Sequence, residues 1–264
     1  MINYKQGLML FLASWSVASI AANKGPCVGP YALLGLVNRP SSADSPCAAP
    51  PHEFILEQGY QSLKLIGGGR AQIFPWAQLR FGLTQGKELF LWVPTYIKEN
   101  ATPRSGFSAM ALGYKQVIKS SSNWMFTLDG FVTPPSGSRT FGSKGEGVLN
   151  GIFYYAINSK LSLVGQLGLS TQTDSPINGG KRYNSVNPDV LMSYALSNTV
   201  QLYGEVNGQT KTASNRGSGY DAAAVFLFLI SKDFMIDVEA GQRLRGALDG
   251  LENYVGAGMA IQFP

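Results

Sequence analysis

The sequence predicts an all-β protein, an antiparallel up-and-down transmembrane β-barrel of about twelve strands. Three observations carry that expectation. From residue 53 onward, apolar side chains alternate with small or polar ones, the period of a strand with two unlike faces. The connections between these segments alternate short and long, as in a meander with one crowded rim and one free rim. The apolar faces carry aromatic residues at one level, close to the short connections and the C-terminus. Bands of this kind sit at lipid headgroups.

Strands are expected at 53–65, 71–83, 87–97, 106–118, 123–133, 146–157, 161–172, 185–196, 200–210, 219–230, 234–243 and 251–263. Short links are TQG (84–86), KSSS (119–122), NSK (158–160), SNT (197–199) and SKD (231–233); the links between are mostly longer, at 98–105, 134–145, 173–184, 211–218 and 244–250. The link near 67–70, GGGR, is a short exception. Strand plus link averages about 17 residues, longer than the roughly 8–12 of a small sandwich and suited to long, tilted strands. The last segment, NYVGAGMAIQFP, puts Val255, Ala257, Met259, Ile261 and Phe263 on one face, toward lipid. Closure is required, because an unpaired sheet edge cannot exist in hydrocarbon.

Parity fixes the faces and the hairpin registers. In 219–230 and 234–243 the even residues point outward, so the turn must have odd length, and Ser231-Lys232-Asp233 supplies it. Pairing Ile230 with Phe234 then sets Asp221 opposite Arg243, an acid and a base on the polar side. The same rule sets Asp189 against Asn207 and Asn187 against Gln209. The expected aromatic girdle is Phe81, Trp124, Tyr155, Tyr194, Phe234 and Phe263. The expected lumen lining is Gln78, Arg80, Lys115, Asp129, Asp189, Glu205, Asp221, Asp237, Glu239, Arg243 and Glu252. Phe90, Trp92, Tyr203 and Tyr254 also point inward and narrow a lumen already intermediate between filled eight-stranded and open sixteen-stranded barrels. Glu205, Asp237, Glu239 and Glu252 favour cations.

Composition agrees. Of 264 residues only 14% are charged, with a formal net charge of +5, against roughly 25% charged in ordinary globular domains. The balance is too mild for a nucleic-acid partner. The longest apolar run, Ala222–Ile230, is too short for a membrane helix. Residues 1–22 carry Lys5, an apolar stretch from Leu8 and small residues near Ala22, the pattern of a secretory signal peptide. Residues 23–51 form a Pro-rich N-terminal extension holding Cys27 and Cys47, and 52–264 the barrel. In an exported chain the two cysteines are expected to form a disulfide; two free thiols are the alternative. The single histidine, His52, has no assembled nucleophile or base beside it, and no metal-ligand spacing occurs, so neither an enzyme nor a cofactor or metal is expected.

The segments LEQGYQSLKL, AQLRFGLTQGKELFLWVP, SGFSAMALGYKQVI and NPDVLMSYALSNTVQLYGEVNG resemble the outer-membrane family labelled "putative MetA-pathway of phenol degradation". The likeness covers most of the chain from about residue 53 and rests on barrel motifs, not on a catalytic site. It implies a bacterial outer-membrane channel or transporter, and the narrow, aromatic-walled lumen suits small, partly apolar or aromatic solutes. It also implies outer-membrane lipid and the barrel-assembly machinery as partners. Such barrels end on Phe; here Pro264 follows Phe263. A structural or surface-interaction barrel with a blocked lumen is the alternative.

Overall fold

The computed structural model describes residues 25–100 and 104–264. The expected signal peptide lies outside the described residues. Fifteen strands follow in chain order: β1 (Phe54–Leu65), β2 (Arg70–Phe74), β3 (Gln78–Thr84), β4 (Lys87–Trp92), β5 (Tyr96–Glu99), β6 (Arg104–Phe107), β7 (Ala111–Ser120), β8 (Trp124–Thr133), β9 (Glu146–Ala156), β10 (Leu161–Thr173), β11 (Arg182–Ala195), β12 (Val200–Gln209), β13 (Gly219–Ser231), β14 (Phe234–Arg245) and β15 (Leu251–Phe263). They make twelve staves of one antiparallel barrel. It closes where β1 pairs with β15, from Phe54↔Phe263 to Lys64↔Asn253. Closure pairs the two strands that would otherwise be open edges, as hydrocarbon requires.

The second, third and fourth staves are each broken in two, which corrects the continuous strands expected at 71–83, 87–97 and 106–118. Pro75 interrupts the second and Pro94 the third. Proline has no N–H to give a ladder. The fourth breaks at Ser108–Met110, beside them. The upper halves form their own ladder, β1–β2–β5–β6, while the lower halves run β1–β3–β4–β7. Trp76, in the gap between β2 and β3, exchanges backbone hydrogen bonds with Gly59 of β1 at 2.9 and 3.1 Å, which holds the break against the wall.

The hairpin β13–β14 places Asp221 opposite Arg243. Its turn differs from the expected one. Ser231, not Ile230, pairs with Phe234, and Ile230 is the extra residue of a bulge, 59% exposed. The local two-residue turn Lys232-Asp233 replaces the three-residue one. The pair Asp189↔Asn207 is present, and a 2.9 Å bond from the Thr210 N–H to the Val186 carbonyl continues that ladder.

The outer surface is apolar along its middle: Leu167, Leu169, Val190, Met192, Val206, Val238 and Val255 are all exposed there. That suits acyl chains. No helix among the described residues is long and apolar enough to cross a membrane.

The N-terminal extension occupies the interior. It enters from the rim of the short turns, makes one helical turn, α1 (Leu33–Leu36), and returns to β1 through Pro50 and Pro51. Cys27 and Cys47 are disulfide-bonded, so the alternative of free thiols falls away. Leu33 and Leu36, both fully buried, pack among Ile55, Val117, Met125, Ile152, Leu227 and Met235. These are inward residues near the short-turn end. The barrel interior is therefore apolar at that level and polar only above it.

Candidate functional site: the plugged lumen

Above the apolar layer, wall carboxylates grip the backbone of the extension. Glu57 accepts the Asn38 N–H at 2.9 Å and the Arg39 N–H at 2.6 Å. Glu205 accepts the Ser41 hydroxyl at 2.7 Å and the Ser42 and Ala43 N–H groups at 2.9 Å each. Glu88 accepts the Ala49 N–H at 2.6 Å. Each carboxylate thereby satisfies backbone donors of a segment that has almost no secondary structure of its own.

Two wall cations complete the network. Arg80 donates to Glu57 at 2.9 Å and to both oxygens of Glu88 at 3.0 and 2.8 Å. It also donates to the carbonyls of Leu36 and Cys47. Its fixed fork of donors is what one residue needs to serve two carboxylates and two carbonyls. Lys115 donates to the Asn38 side chain at 2.9 Å and the Ser45 carbonyl at 2.8 Å, and lies 3.7 Å from Glu88. Gln78 accepts from Asn38 at 2.8 Å, and the Thr127 hydroxyl donates to the Pro46 carbonyl at 2.6 Å.

Asp44 of the extension lies near Asp129. The Asn150 amide donates to both, at 3.4 Å to Asp44 and 2.9 Å to Asp129. Burial pushes the Asp44 carboxyl above its ordinary value, while Lys115 and Arg80 pull the other way.

Of the residues expected in the lining, Gln78, Arg80, Lys115, Glu205, Asp237 and Glu239 touch the extension, and Asp129 reaches it through Asn150. Asp189 and Asp221 are buried on the inner wall on either side of Asn207. Arg243 and Glu252 stand nearer the long-loop rim, partly exposed and 2.8 Å apart. Sequence reasoning missed Glu57 and Glu88 on the wall. Their parity within FILEQGYQS and KELFLW was the available signal. The aromatic residues Tyr155, Tyr194 and Phe263 are exposed on the outer face, with Phe81, Trp124 and Phe234 half-buried beside them. His52 is exposed, and no group of three or more His, Cys, Asp or Glu among the described residues is placed to hold a metal ion.

Cavities lie on both sides of the plug. At the long-loop end a cavity of about 1260 Å³ is lined by Trp76, Trp92, Phe131 and Phe141 with Arg104 and Lys181 among its charges. Trp76 and Trp92 are stacked, ring centroids 6.3 Å apart. A crevice of about 350 Å³ runs between the plug and the wall at Tyr154, Val164, Leu191 and Tyr203.

Two solved structures share this architecture. The KdgM porin in complex with disordered oligogalacturonate matches at TM-score 0.54 and 11% identity, over 79% of this chain and 99% of that one. The NanC porin matches at TM-score 0.55 and 11% identity, over 80% of this chain and 99% of that one. At that identity the likeness shows the fold alone, a closed antiparallel β-barrel like those of the two porins. A search among curated proteins finds no match. The family described as "Putative MetA-pathway of phenol degradation" matches residues 38–249, from the gripped half of the plug through the fourteenth strand, and the chain belongs to that family.

Proposed function

We propose that the protein is an outer-membrane channel for small solutes whose lumen is closed at rest by its own N-terminal extension. The supporting observation is how the plug is held. Besides the apolar turn at its base, it hangs on hydrogen bonds and ion pairs to side chains of the wall, bonds that water or a solute can replace. The long-loop cavity leads down to it. Its stacked tryptophans suit a solute with an apolar or aromatic face, and its charges a polar end. The outward aromatic residues Phe81, Trp124, Tyr155, Tyr194, Phe234 and Phe263 anchor the barrel at the headgroups. Residues 1–22 act as the export signal.

Planar-bilayer recording tests this. Wild-type protein should conduct rarely and briefly. A Glu57→Ala/Glu205→Ala variant, with two of the three grips removed, should conduct steadily. A second reading, a structural barrel with a permanently filled lumen, is favoured by the fully buried disulfide end at Cys47. It prevails if neither protein conducts nor admits small solutes into liposomes.

A further inference from the structure

Arg39 is the one basic side chain that the described plug sends into the wall, and its receptor is unusually complete. The guanidinium lies over the face of Trp76, 4.7 Å from the ring centre. It donates to the Gln58 carbonyl at 2.9 Å and faces Glu239 at 3.4 Å and Asp237 at 3.7 Å. Asp237 and Glu239 stand two residues apart on the inner face of β14. The floor is made by Gly59 of β1 and Gly258 of β15; a Cβ at either position would overlap the guanidinium. A flat slot, an aromatic lid, a carbonyl and two carboxylates together match a planar cation rather than a point charge.

Arg39 fills this slot imperfectly. Charge-assisted bonds of this kind normally span about 2.7–2.9 Å, and both ion pairs here are longer. The Arg39 Nε, one oxygen of Asp237 and one of Glu239 have no hydrogen-bond partner. Arg39 is tethered through its own backbone, whose N–H Glu57 holds at 2.6 Å, so its fork is not free to choose its pose. A free guanidinium has no such tether and can present an edge to each carboxylate. Trp76 also lines the long-loop cavity, while Arg39 lines the crevice beside the plug. The pair thus stands between the two spaces.

We propose that this slot is a binding site for solute cations bearing a guanidinium or amidinium group, occupied at rest by Arg39 as an internal ligand, and that such solutes release the plug by competition. This deepens the channel reading, because it names the solute class and the trigger, and its release step rests on that reading. Binding is tested without conduction. The full chain with Arg39→Ala, folded in detergent and checked by heat-dependent gel mobility, is titrated with methylguanidinium and with methylammonium, following tryptophan fluorescence and heat. Methylguanidinium should bind at least tenfold more tightly than methylammonium, and at least tenfold more tightly to Arg39→Ala than to wild type. Adding Gly258→Ala, which fills the floor, should remove that binding. Equal affinity for the two cations, or binding unchanged by Gly258→Ala, overturns the proposal. If Arg39→Ala does not fold, Arg39→Gln takes its place under the same criteria. In bilayers, methylguanidinium but not methylammonium should raise the open probability of wild type. Tight binding without any conductance in any variant would count against the channel and leave the site standing.

Discussion

Arg80 sits at 0% exposure with two carboxylates and two carbonyls around it. Removing one partner of a buried ion network leaves charge without compensation, which costs about 3–5 kcal/mol. Arg80→Met should lower the urea stability of the vesicle-folded protein by that order, read from tryptophan emission. Lys115 near Glu88 and the amides on Glu57 soften the loss. Asp44 gives a pH signature. Its carboxyl is raised above the ordinary 3.8, so the docked plug holds that proton more firmly than the free one. Docking therefore gains as pH falls through the window above 3.8 and loses as pH rises through the raised value. Protease cleavage of the plug should slow as pH is lowered from neutral toward 3.8, and Asp44→Asn should flatten that dependence. At this scale the wall was more legible than the plug. Arg80 and Glu205 follow from strand parity, which is local. Their partners at Ser41–Ala43 and Cys47 lie far off in sequence, as the separation of 164 between Ser41 and Glu205 shows, and no periodicity marks them.

At the scale of elements, the hairpins from β8 onward lie within a few residues of where alternation places them, because each strand shows lipid one face and the interior the other. The breaks in the second to fourth staves were less legible. Pro75 and Pro94 were visible, yet the alternation continues across them. What decides is that a proline within a ladder has no donor, and the upper halves pair among themselves instead. The disulfide belongs to this scale as well. It closes a loop of sequence separation 20, which the chain-entropy model values at roughly 3 kcal/mol. A Cys27→Ser/Cys47→Ser variant should therefore keep its heat-dependent barrel mobility while its plug becomes cleavable by protease. Loss of the barrel itself would show that plug and wall fold as one unit.

For the whole molecule, two solvents act on one sheet. Leu167, at mid-strand on the outer face and 56% exposed, should face acyl chains. Leu167→Arg should cost about 2–4 kcal/mol of folding stability in vesicles, measured by denaturant titration, with little effect at a rim position. The interior was expected to be a narrow lumen of mixed character, mainly polar with aromatic residues such as Phe90 and Tyr203 on its wall. Its lower level is instead apolar because α1 packs there, and Met125, Val164 and Met235 serve the plug rather than the lipid. A pattern of inner and outer faces is legible from one strand alone. What fills the inside depends on all twelve staves at once.

The enclosed disulfide sets an order of events. Cys27 is 3% exposed and Cys47 not at all, with Cys27 beside the short-turn rim and Cys47 deeper inside the ring of staves. With the segment docked, no oxidising enzyme can reach those sulfurs. Thiol oxidation is therefore expected to precede closure, so that the wall wraps a segment already bridged as the cylinder seals. Protein folded in the presence of a reductant should give cylinders whose inner segment, like that of the Cys27→Ser/Cys47→Ser variant, is open to protease until the two sulfurs are joined.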